Sequence, residues 1–291
     1  MIQYSLPDFT SRLSFNLLFS QMMHSAPELF FEDVEIGSMY GNFPGCIMNG
    51  GRVQLGAHYS YDQIAKTFDQ IEEAGISIRL TFTNVLLKPE HYDDEYSNLI
   101  LKAASGRNAM VIVNLDELGD YISSKYHLKL ILSTTRALNG VEELNKMLNR
   151  DDMVVLDYNH NKEEEYLRKV NDPTRLEVMP NQLCRPGCKD CQDHYEHDSK
   201  IQLGLMSPCP FKCKGGCETY GFMSRIQSSP TLLGNDDVRR LNTIYGIHDF
   251  KLVGRLSLIR ANLESCLYYL VRPENYGIVN KIVAKKMQFV K

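Results

Sequence analysis

The chain has 291 residues, 43% of them hydrophobic, with a formal net charge of −4 and a pI near 6.1. That is apolar material enough for one large α/β unit, and residues 1–291 are expected to form a single one. The slightly acidic balance gives no strong nucleic-acid footprint, and no uncharged apolar run of roughly 18 residues predicts a membrane span.

In chain order, 8–23 reads as an N-terminal helix through Phe9, Leu13, Leu17 and Phe19. A first strand at 30–38 leads into a turn-rich loop containing Pro44-Gly45-Cys46 and Asn49-Gly50-Gly51. Ser60-Tyr-Asp-Gln63 has the form of a capping box, Ile64, Phe68 and Ile71 follow at helical spacing, and Gly75 ends the helix. Ile76, Ile78, Leu80 and Phe82 then alternate as a strand ending at Asn84.

The unit repeats. Ala109–Val113 ends at Asn114, with Asp116 placed to cap a helix, and 128–132 ends at Ser133-Thr134-Thr135. Asn139 and Glu142 open a helix with Val141, Leu144 and Leu148 on one face. The strand 153–156 ends at Asp157-Tyr-Asn159-His160, and Asn161 and Glu164 open the next helix. The strand 175–179 ends at Asn181, where a cysteine-rich loop, 181–230, begins. Beyond it Asn235 caps a helix to Tyr245, 250–253 forms a last strand before Gly254-Arg255, and a helix over 257–270 precedes a helical tail in 275–291.

Strands alternating with helices imply parallel pairing with right-handed crossovers. Seven strands are counted, and 201–205 supplies an eighth, which predicts a (β/α)8 barrel of the TIM type with a cysteine-rich, metal-binding insertion after the sixth strand. A doubly wound open sheet is the alternative, although no Gly-x-Gly-x-x-Gly turn supports dinucleotide binding. In a barrel the active site lies at the C-terminal strand ends, which is where the cysteines and Asn84, Asn114, Asp157, Asn159, His160, Asn181 and Arg255 fall.

Six of the eight cysteines lie in 184–217: Cys184, Cys188 and Cys191, then Cys209, Cys213 and Cys217. The first residues carry no cationic start and apolar block but Asp8, Arg12 and Glu28, so a cytoplasmic location is expected. There clustered thiols serve metals or catalysis more often than disulfides. Short Gly- and Pro-containing loops of thiolates hold iron–sulfur clusters, and a closed zinc site of four thiolates is the structural alternative. Six thiols exceed what one zinc needs, and soft ligands in this number fit a 4Fe-4S cluster better. Cys184-x-x-x-Cys188-x-x-Cys191 also has the spacing at which radical enzymes bind a cluster and S-adenosylmethionine, although those carry it after the first strand.

The segment Asn181-Gln-Leu-Cys184-Arg-Pro-Gly-Cys188, with the closing Phe250-Lys-Leu-Val-Gly254-Arg255, resembles the collagenase-like peptidase superfamily over about 153–272. That resemblance implies a (β/α)8 barrel with a four-iron cluster held by four cysteines, and kinship to oxygen-independent hydroxylases of ubiquinone and of RNA pyrimidines. Val253 stands where the superfamily's closing motif has Glu, and the cysteines are more numerous here.

Among the remaining residues, Arg255 is a candidate anchor for an anionic substrate. His160 beside Asp157 is a candidate acid–base pair. Asn84, Asn114, Asn159 and Asn181 are expected to bind substrate, with helix capping the alternative for Asn84, Asn114 and Asn181. Cys46 and Cys266 read as buried thiols, and His194 and His197 as solvated loop residues. The expected partners are a small-molecule or nucleobase substrate and a protein, either a second barrel or an electron donor.

Overall fold

A computed structural model describes residues 1–182, 184–213, 226, 229–255 and 258–287. Eight parallel strands close into a barrel in chain order: β1 (Ile2–Pro7), β2 (Val34–Gly41), β3 (Ser77–Phe82), β4 (Ala109–Val113), β5 (Lys129–Leu132), β6 (Met153–Val155), β7 (Leu176–Val178) and β8 (Asp249–Lys251). Closure comes from β1, which pairs with β2 on one side and with β8 on the other. An open doubly wound sheet is thereby excluded.

The helices are α1 (Leu13–Ser25), α2 (Tyr61–Glu73), α3 (Glu95–Ala104), α4 (Asp116–Tyr126), α5 (Val141–Leu148), α6 (Glu164–Leu167), α7 (Cys191–Gln202), α8 (Asn235–Tyr245), α9 (Ile259–Leu270) and α10 (Tyr276–Lys286). None among the described residues is long and apolar enough to cross a membrane.

Two expectations about the strands need correction. The eighth strand is Ile2–Pro7 and not 201–205. Ile201 and Gln202 form the last turn of α7, Leu203 caps it, and Gly204 takes the left-handed conformation, φ 70°, that stops a helix. Counting β1, the cysteine segment follows the seventh strand instead of the sixth, still on the C-terminal face.

Capping differs in detail. Ser60 and Gln63 form the expected box, with Gln63 N–H donating to Ser60 Oγ at 3.3 Å and Ser60 N–H to Gln63 Oε1 at 2.8 Å. Asp116 does not cap α4, because Arg136 takes both its oxygens, at 2.9 and 3.1 Å. Asn235 is not the cap of α8. Gly234 is, its N–H donating to the Asp237 carboxylate, and Asn235 donates instead to the Tyr268 carbonyl.

Because side chains alternate along a strand, the sheet separates two cores. Ile78, Leu80, Val111, Val113, Leu176, Val178, Phe250 and Leu252 face outward into the large core beneath the helices. Tyr40, Ile112, Ile131, Val155, Tyr158 and Met179 form a smaller cluster inside.

The alternation also turns charged residues inward from three strands. Arg79 of β3 is ion-paired with Glu177 of β7 and with Asp249 of β8, the latter at 2.5 Å, while Lys251 of β8 lies 3.3 Å from the second oxygen of Glu177. Two cations and two carboxylates balance within the lumen. Such a quartet has to be matched in this way, since an unpaired charge in a dry interior costs several kcal/mol.

Candidate functional site at the barrel mouth

Above the ionic quartet a cavity of about 80 Å³ opens towards the C-terminal strand ends. Its apolar wall is Ile112, Val155, Met179 and Val253. Tyr40, Thr81, Thr83, Ser133 and Thr135 add hydroxyls, Tyr195 of α7 forms part of the roof, and Arg52, Lys251 and Arg255 supply cations. No carboxylate is among the described residues that line it.

Arg255 reaches this cavity, and its acceptors there are neutral. Nη1 donates to Asn49 Oδ1 at 3.1 Å and Thr81 Oγ1 at 2.9 Å, and Nη2 donates to the Gly50 carbonyl at 2.8 Å. Its positive charge therefore stays uncompensated by these partners. The Gly50 loop sits hard against the end of β3: a Cβ on Gly50 would lie 2.2 Å from the Thr83 carbonyl carbon and oxygen. Only glycine admits that approach.

Asp157 and His160 do not reach the cavity. They border a separate, smaller cleft with Leu138, Leu144 and Tyr166. His160 Nδ1 meets Glu163 Oε2 at 2.7 Å and its ring stacks on Tyr166, with centroids 3.9 Å apart. Its imidazole is thus oriented by Glu163, and the His160 backbone N–H donates to the Asp157 carbonyl.

Asp157 instead organises the cysteine loop. Its Oδ1 accepts from the Asn159 backbone and side-chain amides, both at 2.8 Å, which aims Asn159 Oδ1 at the Gly187 N–H, 2.7 Å away. Gly187, at φ 64°, lies within the turn between Cys184 and Cys188.

The other asparagines are spent on the scaffold. Asn84 donates to the carbonyls of Ile47 and Ser199 and accepts from Leu86. Asn181 bridges β7 to β8 through both backbone groups of Val253 and donates to Ser265. Asn114 is buried, with its side-chain oxygen unpartnered among the described residues, and does not line the cavity.

The thiols Cys184 and Cys188 both hydrogen-bond Cys191, the first residue of α7. Those bonds, that from Cys184 first, draw Cys191 down to about 6 against the opposing effect of burial, with Tyr158 contributing at 4.0 Å. Tyr158 also donates to the Arg185 carbonyl at 3.0 Å and so ties the loop to the β6 end. Cys184 packs directly on the inner cluster of Tyr40, Ile112, Val155 and Met179, which is the wall of the cavity.

Cys209 and Cys213 pack against α7: Cys209 Sγ lies 3.5 Å from His197 Nε2, and Cys213 donates to Asp190 at 3.4 Å. His194 stacks on Phe211. Both histidines are therefore helix residues packed on this loop and are not solvated as expected. Cys217 lies outside the described residues. Cys46 and Cys266 are buried, as predicted, and burial pushes the Cys46 thiol up to about 11.

As a donor set, three thiols with one favoured as thiolate near neutral pH fit a soft metal. Among the described residues no three His, Cys, Asp or Glu side chains already stand in a ligating arrangement. The sequence reading missed Tyr40, Arg52, Lys251 and Tyr195. For Lys251 the signal was there: a lysine flanked by Phe250 and Leu252 on a short strand points into the lumen.

No protein-family model matches the chain, and no curated protein matches it. Solved structures do. The U32 peptidase Mk0906 superposes with a TM-score of 0.54 at 12% identity over 87% of this chain and 93% of its own. A xylose isomerase domain containing protein from Salmonella typhimurium LT2 gives 0.43 at 13% identity over 89% and 90%. A GH113 β-1,4-mannanase gives 0.41 at 12% over 86% of each chain. At such identities the likeness is one of fold.

Proposed function

We propose that the protein is a redox enzyme whose substrate, a small anionic molecule or a nucleobase derivative, enters the barrel mouth beside an iron–sulfur cluster. The observation that carries this reading is the contact of Cys184 with the inner cluster, three of whose members, Ile112, Val155 and Met179, wall the cation-lined cavity.

Cys184, Cys188 and Cys191 would hold the cluster, with the fourth ligand from Cys209, Cys213 or Cys217. A cluster so placed supplies one-electron transfer beside the substrate, and a separate electron donor or partner barrel follows from that need. Arg52 and Arg255 attract and orient the anionic group of the substrate. Tyr195 and the aliphatic wall keep water from the reacting face, and Asp157 and Asn159 fix the Gly187 turn. The motif resemblance supports an oxygen-independent hydroxylation as the reaction.

The test is iron, sulfide and zinc content of anaerobically purified protein, with its optical spectrum. About four irons and four sulfides per chain are expected, and zinc without sulfide would sink the redox reading in favour of a structural site. The radical spacing of Cys184, Cys188 and Cys191 favours one second reading. Reductive cleavage of added S-adenosylmethionine to a deoxyadenosyl product would establish it.

A further inference from the structure

We propose that Lys251 is a nucleophilic amine that condenses with a small aldehyde or ketone in the barrel mouth to form a Schiff base. This goes beyond the redox reading, because the chemistry needs neither the cluster nor the cysteine loop.

The geometry comes from three neighbouring layers of the lumen. Lys251 is 8% exposed, and that exposure faces the cavity it helps to line. Below it, Arg79 occupies one oxygen of Glu177 and leaves the other, which makes no hydrogen bond of its own, 3.3 Å from the lysine nitrogen. Beside it the Tyr40 ring lies 4.4 Å from the nitrogen. Tyr40 is itself fixed by donating to the Leu252 carbonyl at 2.8 Å. The amine nitrogen thus sits beside the carboxylate below, on a residue that lines the cavity above.

Burial also pushes the ammonium down to about 8, against the pull of Glu177 and with help from Arg255 and Arg79. A useful fraction is therefore neutral at physiological pH, as in desolvated nucleophilic lysines.

The condensation balances without an oxidant or a second reactant. The amine nitrogen bonds to the carbonyl carbon, and the carbonyl oxygen leaves as water with two of the three ammonium protons. The product iminium carries the same single positive charge as the ammonium it replaces. Glu177 faces that charge before and after the step, so no charge is created or lost in the lumen. The aliphatic wall shields the carbon–nitrogen double bond from hydrolysis. Arg52 and Arg255, with no carboxylate among the described lining residues, favour a carbonyl compound that bears an anionic group.

The test is reductive trapping on the intact chain. The protein is incubated with pyruvate or, as the neutral probe, dihydroxyacetone, reduced with cyanoborohydride, and mapped by peptide mass spectrometry. One saturable adduct on Lys251 is expected, with pyruvate at least tenfold more effective than dihydroxyacetone, and none at this position in Lys251→Arg. Val155→Phe, which fills the cavity and keeps the lysine, is expected to lose the adduct while circular dichroism shows the fold intact. Absence of label on Lys251, or labelling spread over surface lysines to the same extent in Lys251→Arg, overturns the proposal.

Cys191→Ser and the metal content of the same preparation separate this proposal from the redox reading. An adduct without iron defeats only the redox reading, and iron without an adduct defeats only this one.

Discussion

The floor and the mouth of the barrel lumen handle charge in opposite ways. On the floor, Arg79, Glu177, Asp249 and Lys251 interlock until the charges cancel, with Arg79 5% and Glu177 0% exposed. At the mouth, the partners of Arg255 among the described residues are neutral oxygens, and Arg52 donates to the Gly51 carbonyl at 2.6 Å. Charge that is matched locally serves the fold, and charge left unmatched beside a cavity is available to a ligand. Lys251 belongs to both regions, since its counter-ion lies below and its open side above.

The comparison breaks most visibly at Glu177. Replacing it by Gln leaves Arg79 and Lys251 short of a counter-charge in a dry lumen and is expected to lower stability by about 3–5 kcal/mol. Urea unfolding reads this as a fall in the transition midpoint, and an unchanged midpoint would mean that the floor is wetter than its burial indicates.

Gly50→Ala comes next. Its new Cβ meets the backbone of Thr83 and not a movable side chain, so overpacking of about 1–3 kcal/mol is expected. Because Gly50 also accepts from Arg255, affinity for an anionic ligand should fall with it, which calorimetric titration would follow.

Asp151 sharpens the contrast from the other end of β6. It is buried, its Oδ1 accepts from Arg150 at 3.0 Å, and its other oxygen has no partner among the described residues. Burial raises its carboxyl to about 6, above the ordinary 3.8, despite Arg150. A raised carboxyl stabilises the fold below the unfolded value, and that contribution disappears as pH rises through about 6. Asp151→Asn should therefore gain on the order of 1 kcal/mol at pH 7 relative to the parent and flatten the decline between pH 4 and 7. Thermal melts across that range would show it, and cavity binding should not change.

The smallest effect on stability is expected at the rim. Cys191→Ser should move unfolding by no more than about 0.5 kcal/mol and, on the redox reading proposed above, lower the iron and sulfide content. If it unfolds the chain instead, the loop is structural and the thiols belong with the floor.

Much of the barrel was legible in local sequence. The alternation in Ile76–Phe82 and the capping box at Ser60 and Gln63 act within one element, so period and turn chemistry announce them. The strand Ile2–Pro7 was not legible, because it is short and its pairing partners lie far along the chain. Its role as the closing strand appears only through its register with Val34 on one side and Asp249 on the other.

By itself, the sequence determined the βα rhythm and the side of the barrel on which the cysteines lie. These depend on separations of a few residues. Tertiary structure decided the partners. Arg79 finds Glu177 and Asp249, 98 and 170 residues away, and Arg255 finds Asn49 across 206. Closure of the sheet also set Asp157 to hold the cysteine loop, left His160 to Glu163, and put Lys251 at the cavity. A side chain's chemistry follows from its residue type, but its charge balance depends on which strands the barrel brings together.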